Sequence, residues 1–117
     1  MSIQLPLPSN DIDFTIYYKS GCPYSEKAVR LLKNGYNNNT KSPIVFAAYE
    51  VSSLMQNLYG DNYNIAKQKL ISNLNVNQTT FPICFIKKRY IGGSDKLEFI
   101  LNNLYLDKNK TKKYFSI

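Results

Sequence analysis

Phe14 to Tyr18, FTIYY, opens the regular pattern of the chain: β-branched and aromatic side chains in succession predict a strand. After KSGCP, the apolar positions Tyr24, Ala28, Leu31 and Leu32 recur at the 3.6-residue period of a helix, which Asn34-Gly35 is expected to end. The polar stretch NGYNNNTKSP reads as a loop, and IVFAAYEV, Ile44 to Val51, as a second strand. SSLMQNLYGDN suggests one helical turn and a loop, and Ile65, Leu70, Ile71 and Leu74 space a helix over 63–74. FPICFI, 81–86, is apolar on both faces and predicts a strand internal to its sheet. KKRY turns the chain into a fourth strand ending at Gly92-Gly93. Leu97, Ile100, Leu101 and Leu104 then define a last amphipathic helix. The expected order is βαβαββα, an α/β chain whose first crossover makes its strands parallel and whose KKRY turn makes the last pair antiparallel.

The chain has 117 residues, enough for one compact domain over 1–117, with a core at about 12–106, a short N-terminal extension and a basic tail. Net charge is +7, which favours anionic partners, but several lysines fall in the tail DKNKTKKYF. No basic stripe marks a structured face, so no nucleic-acid partner is expected. The opening MSIQLPLPSND has neither a basic n-region nor a long apolar run, and no segment approaches the roughly 20 apolar residues of a membrane span. We therefore expect no membrane association. Two cysteines without a secretory leader point to the cytoplasm or another reducing compartment. The chain lacks histidine, which excludes Ser-His-Asp chemistry, His-assisted thiol proteases and nearly every catalytic zinc site.

Cys22 carries the chemistry. Pro23 suits the first position of a helix, where a missing N–H costs nothing, and so places Cys22 at the N-cap. The unpaired N–H groups of Tyr24 and Ser25 then face the sulfur, and the helix dipole favours its anion. Lys19 adds a positive charge three residues earlier, so a reactive thiolate is expected. Ser25 stands where a dithiol motif would hold its second sulfur. Two roles are open to it, capping its own helical turn or donating a hydroxyl to the thiolate. Cys84, between Ile83 and Phe85, reads as core.

YYKSGCPYSEKAVRLL, TTFPICFI and IGGSDKL resemble, in order and spacing, the three signature stretches of glutaredoxins, across roughly residues 14–105. The resemblance implies a thioredoxin-like fold, a central four-stranded mixed sheet flanked by helices, and glutathione as cosubstrate. It implies that Cys22 is the nucleophile, that Lys19 contacts a glutathione carboxylate and that Tyr24 walls the thiol side of the groove. Thr80, Phe81 and Pro82 match a turn whose proline is cis in the family, with the Phe81 backbone aimed at the cysteinyl unit. Gly93, Ser94 and Asp95 match the stretch that holds the γ-glutamyl end. Asp95 is also expected to cap the last helix, with Glu98 completing a capping box. Gln68 matches, across a one-residue gap, a Gln or Lys of the second helix. Three departures stand out: Ser25 for the resolving cysteine, Phe81 for valine, and Lys96 where a second acid is common.

The function implied is a monothiol oxidoreductase that deglutathionylates proteins or small mixed disulfides, with glutathione reductase and NADPH recycling the product. A monomer is expected, with no resident metal. The first alternative is a glutathione-ligated [2Fe–2S] carrier, a dimer; Pro23 and the absence of a Cys-Gly-Phe-Ser motif disfavour it. The second is a catalytically weak interaction module, suggested by the Asn-rich insert.

Overall fold

A computed structural model describes residues 4–38 and 45–104. The basic tail and residues 39–44, with Ile44 at the expected start of the second strand, lie outside the described residues. Strands β1 (Phe14–Tyr18), β2 (Phe46–Glu50), β3 (Ile83–Ile86) and β4 (Arg89–Gly92) form one sheet in the order β2-β1-β3-β4. β1 runs parallel to β2 and antiparallel to β3, which pairs antiparallel with β4. Helices α1 (Pro23–Asn38), α2 (Val51–Tyr59), α3 (Tyr63–Leu74) and α4 (Ser94–Leu104) flank it. The expected mixed four-stranded α/β architecture is what the chain adopts. No helix among the described residues is long and apolar enough to cross a membrane.

The two-residue period of the central strands divides the core. Phe14 and Ile16 of β1 join Cys84 and Ile86 of β3 beneath Ala28 and Leu32 of α1 and Leu97, Ile100 and Leu101 of α4. Tyr17, Ile83 and Phe85 point the other way, against Val51 and Met55 of α2 and Ala66, Leu70 and Leu74 of α3. Each fully buried large apolar side chain contributes about 1.5–3 kcal/mol. Leu5 packs against the second cluster, where the Tyr17 hydroxyl donates to the Pro6 carbonyl at 2.6 Å. That bond ties the N-terminal extension to the sheet. Burial holds the Tyr17 phenol well above the usual tyrosine range.

Several elements differ from the sequence reading. α1 continues through Asn34-Gly35 to Asn38. An interior glycine costs a helix about 1 kcal/mol, too little to end one already anchored by Ala28 and Leu32. Tyr24, read as an apolar helix position, is 64% exposed; Ser25 takes its place on the inner face with Ala28 and Leu32. β2 stops at Glu50, because that carboxylate accepts from Ser52 N at 2.8 Å and Ser53 N at 3.3 Å and caps α2. SSLMQNLY therefore belongs to a full helix, and the order is βαβααββα. α3 buries Ala66, Leu70 and Leu74, whereas Ile65 is exposed. β3 begins at Ile83, after a cis Phe81–Pro82 bond. α4 begins at Ser94, with the Gly93 carbonyl accepting from Leu97 N at 3.1 Å, so Asp95 lies inside the first turn rather than at the cap. Glu98 completes no capping box: its carboxylate pairs with Lys27 of α1 at 2.6 Å.

Thr15 is fully buried on β1, and its hydroxyl has no hydrogen-bond partner among the described residues. A buried unpaired hydroxyl costs about 1–3 kcal/mol, so Thr15→Val, close to it in shape, should stabilise the fold by about 1 kcal/mol. A higher urea midpoint at unchanged slope is the expected result, and a lower one would show that the hydroxyl has a partner.

Candidate active site

The site begins at the end of β1, where the chain must reverse into α1. Cys22 N donates to Lys19 O at 3.2 Å, closing a four-residue turn with Gly21 at φ +84°, a conformation that an L side chain rarely adopts. Gly21 N in turn donates to a Glu26 carboxylate oxygen at 3.1 Å, and Ser20 N to Glu50 at 3.3 Å. The loop is thus tied to the first turns of both α1 and α2. Glu26 N donates to Cys22 O at 2.9 Å, which makes Cys22 the N-cap residue and Pro23 the first residue of the helix.

The Cys22 thiol titrates below the ordinary cysteine value. The largest cause is the Ser25 backbone N–H directed at the sulfur. Partial burial opposes it; the Ser25 hydroxyl, the Tyr24 backbone N–H and the Lys19 charge add to it. Of the two roles the sequence left open to Ser25, the hydroxyl bonds the sulfur, and instead of capping its own turn the residue ties α1 to the loop after β1. Its oxygen accepts from Lys19 N at 3.0 Å, and its hydroxyl hydrogen-bonds the sulfur. Cys84 is buried without exposure, and burial pushes its thiol up to about 12, so it behaves as core.

Across the cleft, Cys22 Sγ lies 3.9 Å from the Phe81 carbonyl oxygen. The loop carrying Phe81 is held by Gln78. Its amide nitrogen donates to the carbonyls of Thr80 and Pro82, both at 2.6 Å, and its oxygen accepts from the Tyr90 hydroxyl at 2.5 Å. A Cβ at Gly93 would stand 3.7 Å from the Pro82 carbonyl, so the β4–α4 junction borders the same loop. Ser94 is buried beside it and Asp95 is exposed. On the other flank Lys19 Nζ donates to the Tyr63 hydroxyl at 3.3 Å and lies 4.8 Å from that ring's centroid. Lys67 Nζ lies 5.9 Å from the Tyr63 ring and 5.8 Å from the Phe81 ring. An activated sulfur with an ammonium group acting on it suits thiol–disulfide exchange.

The glutaredoxin family model matches residues 14–91, a span that runs from β1 through this turn and the Phe81 loop to β4. The chain belongs to the glutaredoxin family. A probable glutaredoxin of Acanthamoeba polyphaga mimivirus is 31% identical over 90 residues, covering 72% of this chain and 73% of the viral protein. The dithiolic glutaredoxin of Trypanosoma brucei brucei is 20% identical and shares the fold at a TM-score of 0.58, over 86% of this chain and 89% of its own. Wheat glutaredoxin does so at 0.57 and 20% identity, over 88% and 83%. Family membership makes the protein a thiol–disulfide oxidoreductase with a thioredoxin-like fold.

Among the residues named from the glutaredoxin pattern, Cys22, Ser25, Lys19 and Phe81 converge directly, and Tyr24 stands exposed at the head of α1. Thr80 and Pro82 frame Phe81 through Gln78. Gln68 is exposed on α3; the residue that reaches the Phe81 and Tyr63 rings is Lys67, one position earlier. Gln78, Tyr63 and Glu50 were not read from the sequence. Only the unmet hydrogen bonds of the Thr80–Pro82 loop would have pointed to Gln78, and only the Tyr63/Lys67 i, i+4 spacing to the pair on α3.

Ser25→Ala removes one donor to the sulfur and the acceptor for Lys19 N. The Cys22 pKa should rise, so the pH profile of alkylation by iodoacetamide should move to higher pH. The sign also fixes the stability linkage. A thiol whose folded pKa is lowered favours the fold above the unfolded pKa, and this contribution is lost as pH falls through the folded pKa. An unmoved profile would show that the hydroxyl does not act on the sulfur.

Proposed function

We propose that the protein reduces glutathionyl mixed disulfides with Cys22 as its one reacting sulfur. The observation that carries this reading is the Cys22 thiol at the head of α1, held below the ordinary cysteine value, with Ser25 buried where a second sulfur would resolve the intermediate. The Cys22 thiolate attacks the glutathione sulfur of the mixed disulfide. A bond forms between Cys22 and that sulfur, the substrate's sulfur leaves as thiolate, and it takes a proton from solvent. The thiolate of a second glutathione then attacks the glutathione sulfur on Cys22. Glutathione disulfide leaves, and Cys22 returns as thiolate. The net exchange converts a mixed disulfide and one glutathione into a free thiol and glutathione disulfide. Regeneration of glutathione by its reductase and NADPH requires a reducing compartment.

On this reading the Phe81 backbone pairs with the cysteinyl unit, and Tyr24 closes the thiol side. Lys19, joined by Lys67 in place of Gln68, meets the glycine carboxylate, and Gly93, Ser94 and Asp95 meet the γ-glutamyl end. Ser25 cannot attack the Cys22–glutathione disulfide, so the intermediate persists until glutathione arrives.

The test is reduction of a small glutathionyl mixed disulfide, coupled to glutathione reductase and NADPH. Wild type should turn over, and Cys22→Ser should lose at least about 100-fold, as expected for removal of a nucleophile. Ser25→Ala should retain turnover. A folded, reduced wild type without turnover would overturn the reading, and visible absorbance after anaerobic purification would then point to the cluster carrier.

A further inference from the structure

We propose that Tyr63 is a positioning residue that sets Lys19 and Lys67 as a paired carboxylate clamp beside Cys22, and so gives the site its preference for anionic thiol substrates. The inference rests on the glutathione reading only for the identity of the substrate. Its basis is the arrangement of the two cations. Lys19 Nζ is 4.8 Å, and Lys67 Nζ 5.9 Å, from the centroid of one ring. Neither ammonium has a carboxylate partner among the described residues. Lys19 acts on the reacting sulfur electrostatically, and Lys67 lies 5.8 Å from the ring centroid of Phe81, the residue whose backbone carbonyl is 3.9 Å from Cys22 Sγ.

Two unpaired lysines on an open surface would repel one another and sample many rotamers, and each would lose that side-chain freedom when a ligand orders it. A ring within about 6 Å of both reverses that balance, because its quadrupole attracts each charge. The backbone that carries the ring is fixed by the fold, and the ring itself is 42% exposed. Asn62 caps α3 through its side-chain oxygen, accepting from Ile65 N at 3.2 Å, and Ala66 and Leu70 bury the inner face of the helix. Tyr63 is the first residue of α3, and Lys67, at i+4, rises from the same face. Lys19 comes from the loop after β1 and adds a hydrogen bond to the Tyr63 hydroxyl at 3.3 Å. Two ammonium groups from different elements thus meet at one ring, with no carboxylate partner among the described residues.

Alkylation of Cys22 by iodoacetate and by iodoacetamide tests the clamp without glutathione, since the reagents differ chiefly in charge. Tyr63→Leu should lower the iodoacetate-to-iodoacetamide rate ratio by about two- to fivefold, the factor equivalent to an exposed cation–π contact. Tyr63→Phe, which keeps the ring, should retain most of the ratio, and Lys67→Met should lower it as Tyr63→Leu does. In turnover, the preference for glutathione over its glycine monoethyl ester should fall in step, seen in KM rather than kcat. A ratio unchanged in both Tyr63→Leu and Lys67→Met overturns the proposal. A lowered ratio with an unchanged preference upholds the clamp and overturns instead the placing of the glycine carboxylate against it. Should Tyr63→Leu fail to fold, Lys67→Met and Tyr63→Phe decide the matter alone.

Discussion

The peptide N–H groups at the head of α1 are the constraint on which the rest of the site depends. The first turn of a helix leaves its donors without intrahelical partners, and a donor left unmet in a partly closed site is costly. Pro23 removes one of them, and the sulfur of Cys22 accepts from Ser25 and Tyr24. Because the cap is a sulfur, the helix is best satisfied by its anion, and the same bonds that end the helix make the residue a nucleophile. The cap needs a sharp entry, which the Gly21 turn supplies, and a stable base, which Ala28 and Leu32 supply by burying the next two turns. Fold and reactivity here are one requirement.

Ser25 shows how little a change from two sulfurs to one asks of the fold. The residue is fully buried on the inner face of α1, its oxygen occupied by Lys19 N and its hydroxyl directed to Cys22. An oxygen fits a buried polar position because it can accept and donate at once. What it cannot do is attack a disulfide formed on the Cys22 sulfur. The chemistry is narrowed while the packing and the thiolate's stabilisation are kept.

The sheet and the nucleophile were legible in the sequence because they rest on short-range rules. Phe14–Tyr18 is β-branched and aromatic throughout, Ile83–Ile86 is apolar on both faces, and Cys22-Pro23 states the cap in two residues. Boundaries set by side chains elsewhere were not legible. Val51 reads as the last residue of a strand until the Glu50 carboxylate is seen to cap a helix starting there. Gly35 reads as a stop, yet α1 runs past it. Tyr24 matches the helical period of Ala28 and Leu31 but lies at the exposed head of the helix, where Ser25 faces inward instead. Gln68 is exposed on α3, whereas Lys67, one residue and 100° of helix rotation away, reaches the Tyr63 and Phe81 rings.

The face that α3 turns to the β1 loop follows from the break between α2 and α3, which the sequence marks by the loop before the helix over 63–74 although it gives α2 only one turn. Gly60 ends α2 at φ +95°, and Asn62 starts a new helix two residues later. Had α2 continued, its axis would have carried residues 61–74 onward with no fresh start beside the β1 loop. The interruption gives α3 an N-terminus of its own, with Tyr63 at the first position and against Lys19. Glu50 joins both ends of this arrangement, since one carboxylate caps α2 and accepts from Ser20 N in the loop that leads to Cys22. The helix pair on this face of the sheet therefore does more than cover Tyr17, Ile83 and Phe85. It sets the position of the loop that aims the sulfur and supplies the ring on which two cations rest, so the chemistry of the cleft is fixed by how the second half of the crossover is divided.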